Sequence, residues 1–292
     1  MKKIAVIINP KAGSKNKKLL KEVLEKLSDS NQLTIFETSK PGDATEIAKK
    51  ECNNFDLVAV AGGDGTIHEV INGINHITPL AIIPTGTANI VAIESGISKN
   101  ATSICNAIQQ GITKKAYLHN INNKKFILMV GIGFDAQIVA NIKPKLKTIF
   151  GKFIFVWESF KQFFYLKQFN IKAKINGNIY NANWMLIANA AHYAGNFTIT
   201  KQTSIFDPNL ICYLFPNLNK LDFLYNLFLI IFYKDLSRSK KIITIYSENI
   251  EVLSQNQPVQ IDGEFYEKLN INININKSSQ FTQLIVSKKD NV

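Results

Sequence analysis

Leu57-Val58-Ala59-Val60-Ala61-Gly62-Gly63-Asp64-Gly65-Thr66 runs directly into Ile67-His68-Glu69-Val70-Ile71-Asn72-Gly73-Ile74. The apolar run 57–61 reads as a buried strand, and the periodic segment from Ile67 to Ile74 reads as a helix. Three glycines in four residues let the backbone take positive φ and come close to a ligand. The amides of such a turn face the positive end of a helix dipole, which suits an anion such as phosphate. A carboxylate at Asp64, inside an anion-friendly loop, calls for a cation or a hydroxyl nearby. The stretch therefore points to nucleotide phosphate chemistry with a divalent metal.

The segments on either side repeat the same rhythm. Ile4 to Ile8 reads as a strand, Asn16 to Leu27 as a helix with Leu19, Leu20, Leu24 and Leu27 on one stripe, and Leu33 to Glu37 as a short strand. Asp43 to Cys52 reads as a helix and Leu80 to Ile83 as another buried strand. Alternating strands and helices imply a parallel sheet with helices on both faces. Ligands of such sheets bind at the carboxyl ends of the strands. Three strands lead into suggestive loops there: Asn9-Pro10-Lys11-Ala12-Gly13, Gly62 to Thr66, and Pro84-Thr85-Gly86-Thr87-Ala88-Asn89.

After about residue 115 the pattern changes to short alternating runs: Phe126 to Val130, Ile171 to Ile175, Trp184 to Ala188, Leu210 to Phe215, Lys241 to Tyr246 and Ile250 to Leu253. Turns such as Asn176-Gly177-Asn178 join them, which predicts an antiparallel, β-rich second domain. Asn270 to Asn276 alternates asparagine with isoleucine and predicts a half-buried strand. The expected fold class is α/β plus β. Residues 1–118, joined by about 278–292, form a doubly wound nucleotide domain, and residues 119–277 form a β-sandwich.

The chain has 292 residues, 34 basic against 22 acidic side chains and a net charge of +12. Arg238 is the single arginine. Lys143, Lys145, Lys147, Lys152, Lys161, Lys167, Lys172 and Lys174 surround an aromatic stretch, Ile149 to Leu166, opposed by Glu158. This suits anionic lipid headgroups or nucleic acid, and a solvated lysine face explains it equally well. Ile149–Leu166 and a second apolar run, Leu221 to Tyr233, are too short or too charged to span a bilayer. Both fit core packing or a lipid-docking surface. Cys52, Cys105 and Cys212 lie far apart and form neither a metal spacing nor a disulfide framework, which predicts a reducing cytoplasm. Met1 to Ile8 is read as a first strand and not as a signal peptide.

Asn9-Pro10 with Gly13, Thr38 with Gly42-Asp43-Ala44, Gly62 to Thr66, Asn72-Gly73, Pro84 to Asn89, Gly131-Ile132-Gly133-Phe134-Asp135-Ala136 and Asp262-Gly263-Glu264 occur in that order. The series resembles the diacylglycerol kinase catalytic-domain family, which includes bacterial soluble lipid kinases and sphingosine kinases. The resemblance implies an ATP- and Mg2+-dependent kinase that moves the γ-phosphoryl group to a lipid hydroxyl such as that of diacylglycerol. ATP would contact Asn9, Thr38, Gly62, Gly63, Asp64, Gly65, Thr66, Thr87 and Asn89. The C-terminal strand would return to the first domain.

By the same resemblance, Asp64 joins the metal network, with an Asx-type turn as the alternative. Thr66 caps the following helix or touches phosphate. Asp135 supports catalysis or ends a turn. Asp262 is the expected general base, assisted by Glu264, although Asp-Gly is also a strong hairpin pair. Asp207, in Phe206-Asp207-Pro208-Asn209, is a second candidate metal ligand; the family pattern there is Asp-Asp-Gly. The four histidines show no metal spacing. The implied setting is the inner face of the cytoplasmic membrane. The lipid substrate and anionic headgroups are the partners, nucleic acid is not one, and a homodimer is left open. An NAD kinase-like enzyme, a nucleic-acid binder and a non-catalytic nucleotide-binding regulator are the competing readings.

Overall fold

A computed structural model of the chain describes residues 1–12, 16–142, 158, 161, 163–165, 167–217, 219–269 and 273–288. Gly13, Lys143, Lys145, Lys147, Lys152, most of the aromatic stretch 149–166 and residues 270–272 of the asparagine–isoleucine run lie outside them. The chain divides into two compact units, Met1–Ala116 with Gln280–Val292, and Tyr117–Ser279.

The first unit follows the order β1 (Lys3–Ile8), α1 (Lys17–Ser28), β2 (Gln32–Glu37), α2 (Asp43–Glu51), β3 (Leu57–Gly62), α3 (Asp64–Gly73), β4 (Leu80–Pro84), α4 (Ile90–Glu94), α5 (Ala101–Gln110) and β5 (Thr113–Tyr117). Among the described residues its sheet has the order β2-β1-β3-β4, then the C-terminal strand Phe281–Ile285, then β5. β1 pairs in parallel with both β2 and β3, and β3 with β4. The C-terminal strand pairs in parallel with β4, with Leu284 opposite Leu80. β3 and β4 are buried along their whole length, as continuous apolar strands covered on both faces should be. The connection from β1 leads one way to β2, and the sheet continues from β1 the other way to β3. This makes a switch point between β1 and β3, where open α/β sheets form their crevice.

α3 begins three residues earlier than its hydrophobic periodicity predicts. Gly63 is the N-cap, with extended backbone, and Asp64, Gly65 and Thr66 form the first helical turn. An acidic residue there complements the helix dipole. α2 and α3 cross closely enough that a Cβ on Gly73 would overlap the Thr45 carbonyl oxygen.

The second unit is antiparallel. It contains β6 (His119–Ile121), β7 (Lys124–Phe126), β8 (Met129–Gly133), α6 (Phe134–Asn141), β9 (Ile171–Ile175), β10 (Asn178–Ala182), β11 (Trp184–Ala188), β12 (His192–Tyr193), β13 (Phe197–Thr198), β14 (Leu210–Phe215), α7 (Lys220–Phe228), β15 (Ile243–Ser247), β16 (Asn249–Val252), β17 (Gln257–Ile261), β18 (Glu264–Leu269) and β19 (Ile273–Asn276). Among the described residues these strands form the sheets β10-β9-β16-β19-β6-β7 and β15-β14-β11-β8-β17-β18, with β12 and β13 as a small ribbon. β9 and β19 alternate buried with exposed residues, whereas β8, β11 and β14 are buried throughout. Aromatic packing continues from the second sheet onto the helices: Trp184 stacks on Phe215 at 3.9 Å, and Phe134 meets both Trp184 and Phe223.

The expected single strand Phe126–Val130 is two strands. β7 ends at Phe126, β8 starts at Met129, and the amides of the intervening Ile127 and Leu128 are turned toward a buried carboxylate instead of a neighbouring strand.

Candidate active site

The residues expected from the sequence fall into two groups, one in each unit. In the first unit the loops that follow β1, β3 and β4 are joined by their own polar groups. Asn9, at the end of β1, donates from Nδ2 to Thr66 Oγ1 at 3.0 Å, while its Oδ1 accepts from the Lys11 and Ala12 amides. Asp64 Oδ1 accepts from the Val91 amide at 3.1 Å, linking the start of α3 to α4. The Gly62 carbonyl accepts from the Thr85 and Gly86 amides at 3.2 Å each.

Between these loops the backbone is bare. A Cβ on Gly86 would overlap Gly63 Cα, one on Gly63 would stand 3.2 Å from Gly86 Cα, and one on Gly62 would stand 2.6 Å from Thr66 Cβ. A side chain at Gly63 or Gly86 would drive the two loops apart, and one at Gly62 would displace Thr66, so the glycines are required by close approach.

Thr66 is not the N-cap of α3: Gly63 holds that position, and the Thr66 hydroxyl, buried in the third helical position, accepts from Asn9. Asn89 sits at φ +52°, its Nδ2 donates to the Gly86 carbonyl, and its Oδ1 is buried without a hydrogen-bond partner among the described residues, as is Thr85 Oγ1. Native proteins leave few such groups unsatisfied, and each one marks a place to explain. Thr38 is buried at the end of β2, with its amide bonded to the Ile8 carbonyl, and Thr87 is exposed on the loop after β4. Two residues absent from the sequence-based set join the group. Asn16 donates to the Thr85 carbonyl at 2.8 Å, and Glu69 accepts from the Gly42 and Ala44 amides, closing the start of α2. Neither belongs to a motif, and their partners are 69 and about 25 residues away.

In the second unit Asp135 lies in the first turn of α6, 1% exposed. Its Oδ1 accepts from the Ala136 amide and its Oδ2 from Gln260 Nε2 at 3.1 Å. Gly131 makes the room: a Cβ there would overlap the Asp135 carboxylate. Burial pushes the Asp135 carboxyl up to about 7; the Gln260 and Ala136 bonds oppose that shift. The Trp184 indole is a weaker opposing influence, although its Nε1 completes no hydrogen bond among the described residues.

Asp262 and Gly263 form a two-residue turn between β17 and β18, at φ +50° and +83°, the left-handed pair that a type I′ hairpin requires. The Asp262 carboxylate is 3% exposed and accepts from three amides: Oδ2 from Ile127, and Oδ1 from Leu128 and Met129 at 2.8 and 3.0 Å. These bonds pin the hairpin to the β7–β8 connection. Glu264, next along the hairpin, is exposed.

Asp207 closes an Asx turn, with Oδ1 accepting from the Asn209 amide at 2.9 Å. Among the described residues no three His, Cys, Asp or Glu side chains gather into a group able to hold a metal. His119 is fully buried between Asn189 Oδ1 and the Ser278 amide. Its Nδ1 accepts from Ser278, so Nε2 carries the proton, and burial lowers its pKa to about 4. It is a neutral structural histidine.

A parallel α/β unit with glycine-lined loops at its strand ends, followed by an antiparallel β unit, defines the α/β plus β class. Residues 3–121 match the diacylglycerol kinase catalytic domain. A diacylglycerol kinase from Bacillus subtilis (strain 168) is 30% identical over 193 residues, which is 64% of this chain and 64% of that one. One from Staphylococcus aureus (strain bovine RF122 / ET3-1) is 30% identical over 191 residues, 63% of this chain and 61% of its own length. The chain thus spans somewhat under two thirds of these relatives. Two crystal structures of chains described as diacylglycerol kinases from Bacillus anthracis str. Sterne share 23% identity, with TM-scores of 0.81 and 0.77, and cover 100% of this chain and 97% and 99% of theirs. An NAD kinase from Archaeoglobus fulgidus, solved with ATP, has a TM-score of 0.57 at 16% identity, covering 98% of this chain and 94% of that one. The solved structures establish a shared fold.

Proposed function

We propose that the protein is an ATP-dependent lipid kinase that transfers the γ-phosphoryl group to the hydroxyl of a lipid such as diacylglycerol. The supporting observation is the bare-backbone cradle formed by Gly62, Gly63 and Gly86 at the carboxyl ends of β3 and β4, within the segment that matches the diacylglycerol kinase catalytic domain. Phosphoryl transfer needs little covalent chemistry from a protein and much positioning and charge neutralisation. Amides around Gly63 and Gly65 and the N-terminus of α3 would hold phosphate oxygens. Asn9 and Asp64 keep the three loops in register.

Mg2+ is usually bound through one or two carboxylates together with phosphates and water. Asp64, half-buried at the loop edge and tied to Val91 through Oδ1, fits such a role. The ion would neutralise charge on the transferring phosphate. Asp262 anchors its hairpin, and Glu264 is the carboxylate of that hairpin proposed to accept the proton of the lipid hydroxyl. The same reading makes the protein a peripheral one at the inner face of the cytoplasmic membrane. Among the described residues no helix is long and apolar enough to cross a bilayer.

Incubation with γ-labelled ATP and Mg2+ over diacylglycerol, sphingosine, ceramide, phosphatidylglycerol and NAD tests the proposal. Label in a lipid acceptor is expected. Label in NAD alone favours the soluble-nucleotide reading, and label in none of them favours a nucleotide-binding regulator.

A further inference from the structure

α7 and the π-helical turn that continues it, Leu229–Tyr233, are amphipathic in the inverted sense. Their one buried polar residue among the described side chains is Asn226, which accepts from Ser239 Oγ at 2.5 Å. The outward side is apolar. Leu221 is 79% exposed, Leu224 50% and Phe228 45%, at the i, i+3, i+7 spacing of a single helix face. Phe232, 69% exposed, continues that face, with its ring 4.7 Å from that of Phe228. The patch extends sideways through Phe223, whose ring meets Phe163 at 5.4 Å, to the exposed Phe164. A contiguous exposed patch of this kind marks a contact surface; scattered single residues would not.

The rim of the patch is basic. Residues 219–241 hold Lys220, Lys234, Arg238, Lys240 and Lys241 against Asp222 and Asp235. Both acids are engaged internally. Asp222 pairs with Lys241 at 3.6 Å and accepts from the Asn219 side chain, and Asp235 accepts from the Ser237 amide and hydroxyl. Arg238 lies over the Tyr233 ring at 5.0 Å.

We propose that this face docks the protein on an anionic lipid bilayer, with Leu224, Phe228 and Phe232 entering the headgroup–acyl boundary and the cations on phosphate headgroups. Apolar and aromatic side chains ringed by lysine and arginine are the composition of an interfacial helix. A protein–protein interface is, by contrast, depleted in lysine. The inference rests on the peripheral placement proposed above but not on the phosphoryl transfer, because vesicle binding is read without ATP or acceptor.

The test is flotation of the full chain with vesicles of phosphatidylcholine alone, and of phosphatidylcholine mixed in equal parts with phosphatidylglycerol. The wild-type chain is expected to float with the anionic vesicles and to leave them as salt is raised. The triple variant Leu224→Asp/Phe228→Asp/Phe232→Asp changes exposed positions only, and its partitioning should fall by about tenfold or more with an unaltered melting temperature. In the single variant Phe232→Trp, tryptophan emission should shift to the blue on mixing with anionic vesicles. Wild-type protein that does not float, a triple variant that floats like wild type, or an unshifted Phe232→Trp emission overturns the proposal. A wild-type dimer that the triple variant renders monomeric overturns it in favour of a self-association surface.

Discussion

Gln260 Nε2 donates to Asp135 Oδ2 at 3.1 Å, across 125 residues of chain. The amide of Gln260 cannot be turned the other way without loss, because its Oε1 accepts from the Gly263 amide at 2.8 Å. The Asp262–Gly263 turn thereby dictates which end of Gln260 faces the buried carboxyl. Gln260→Leu removes the donor and leaves the Asp135 carboxylate less stabilised. Urea unfolding should show a loss of about 1–3 kcal/mol at pH 8, where the carboxyl is ionised, and a smaller loss at pH 5. Equal losses at both pH values would refute the assigned interaction.

Asp135 and His119 act on stability in opposite directions across the acid range. The Asp135 value of about 7 lies above the ordinary 3.8, so the folded chain holds that proton more tightly, and its contribution is lost as pH rises from about 4 to 7. The His119 value of about 4 lies below the ordinary 6.5, so its contribution is full above 6.5 and is lost as pH falls toward 4. His119→Gln keeps a donor and an acceptor and removes the second slope. Relative to wild type it should gain up to about 3 kcal/mol on going from pH 7 to pH 4, read from urea midpoints. A constant offset between the two proteins would contradict the buried, neutral histidine.

Substituting alanine for Gly86 should be far more harmful than the same change at Gly42. At Gly86 the new Cβ meets Gly63 backbone, whereas at Gly42 it meets nothing within 4 Å and costs only the strain of φ +90°. Gly42→Ala should lose about 1 kcal/mol, with nucleotide binding intact. Gly86→Ala should weaken ATP binding by calorimetry at least about tenfold, since the phosphate cradle is itself displaced.

The two carboxylates of the β17–β18 hairpin should separate by readout. Asp262→Asn places an amide donor against one of the Ile127, Leu128 or Met129 N–H groups, and stability should fall by about 2–3 kcal/mol. Glu264→Gln is an exposed change and should leave the melting temperature unaltered. If Glu264 takes the acceptor proton, turnover should drop by about a hundredfold or more with ATP affinity retained. Wild-type turnover in Glu264→Gln would return the role to another carboxylate.

Much of this protein is legible in local pattern. The buried runs 57–61 and 80–83, the leucine stripe after Asn16, and the asparagine–glycine turns each carry their own period or backbone preference. The strands and helices of the first unit accordingly lie within a few residues of where the sequence places them. The loop glycines are legible for the same reason, since close approach and positive φ are properties of one residue type.

Roles that depend on distant partners were not legible. From its neighbours alone, Asp262 is equally a hairpin residue and a candidate base. Only tertiary structure brings three amides from 127–129 onto its two oxygens and makes it a buried post. Likewise, nothing local distinguishes Thr66 as a cap from Thr66 as the acceptor for Asn9, 57 residues away, or shows that Asn226 points inward while Leu224 and Phe228 face water. The sequence by itself determined the class of fold and the loops that gather at the strand ends, because periodicity and glycine chemistry are local. The structure decided which carboxylates are spent on the fold, because hydrogen-bond partners are set by packing between segments far apart in the chain.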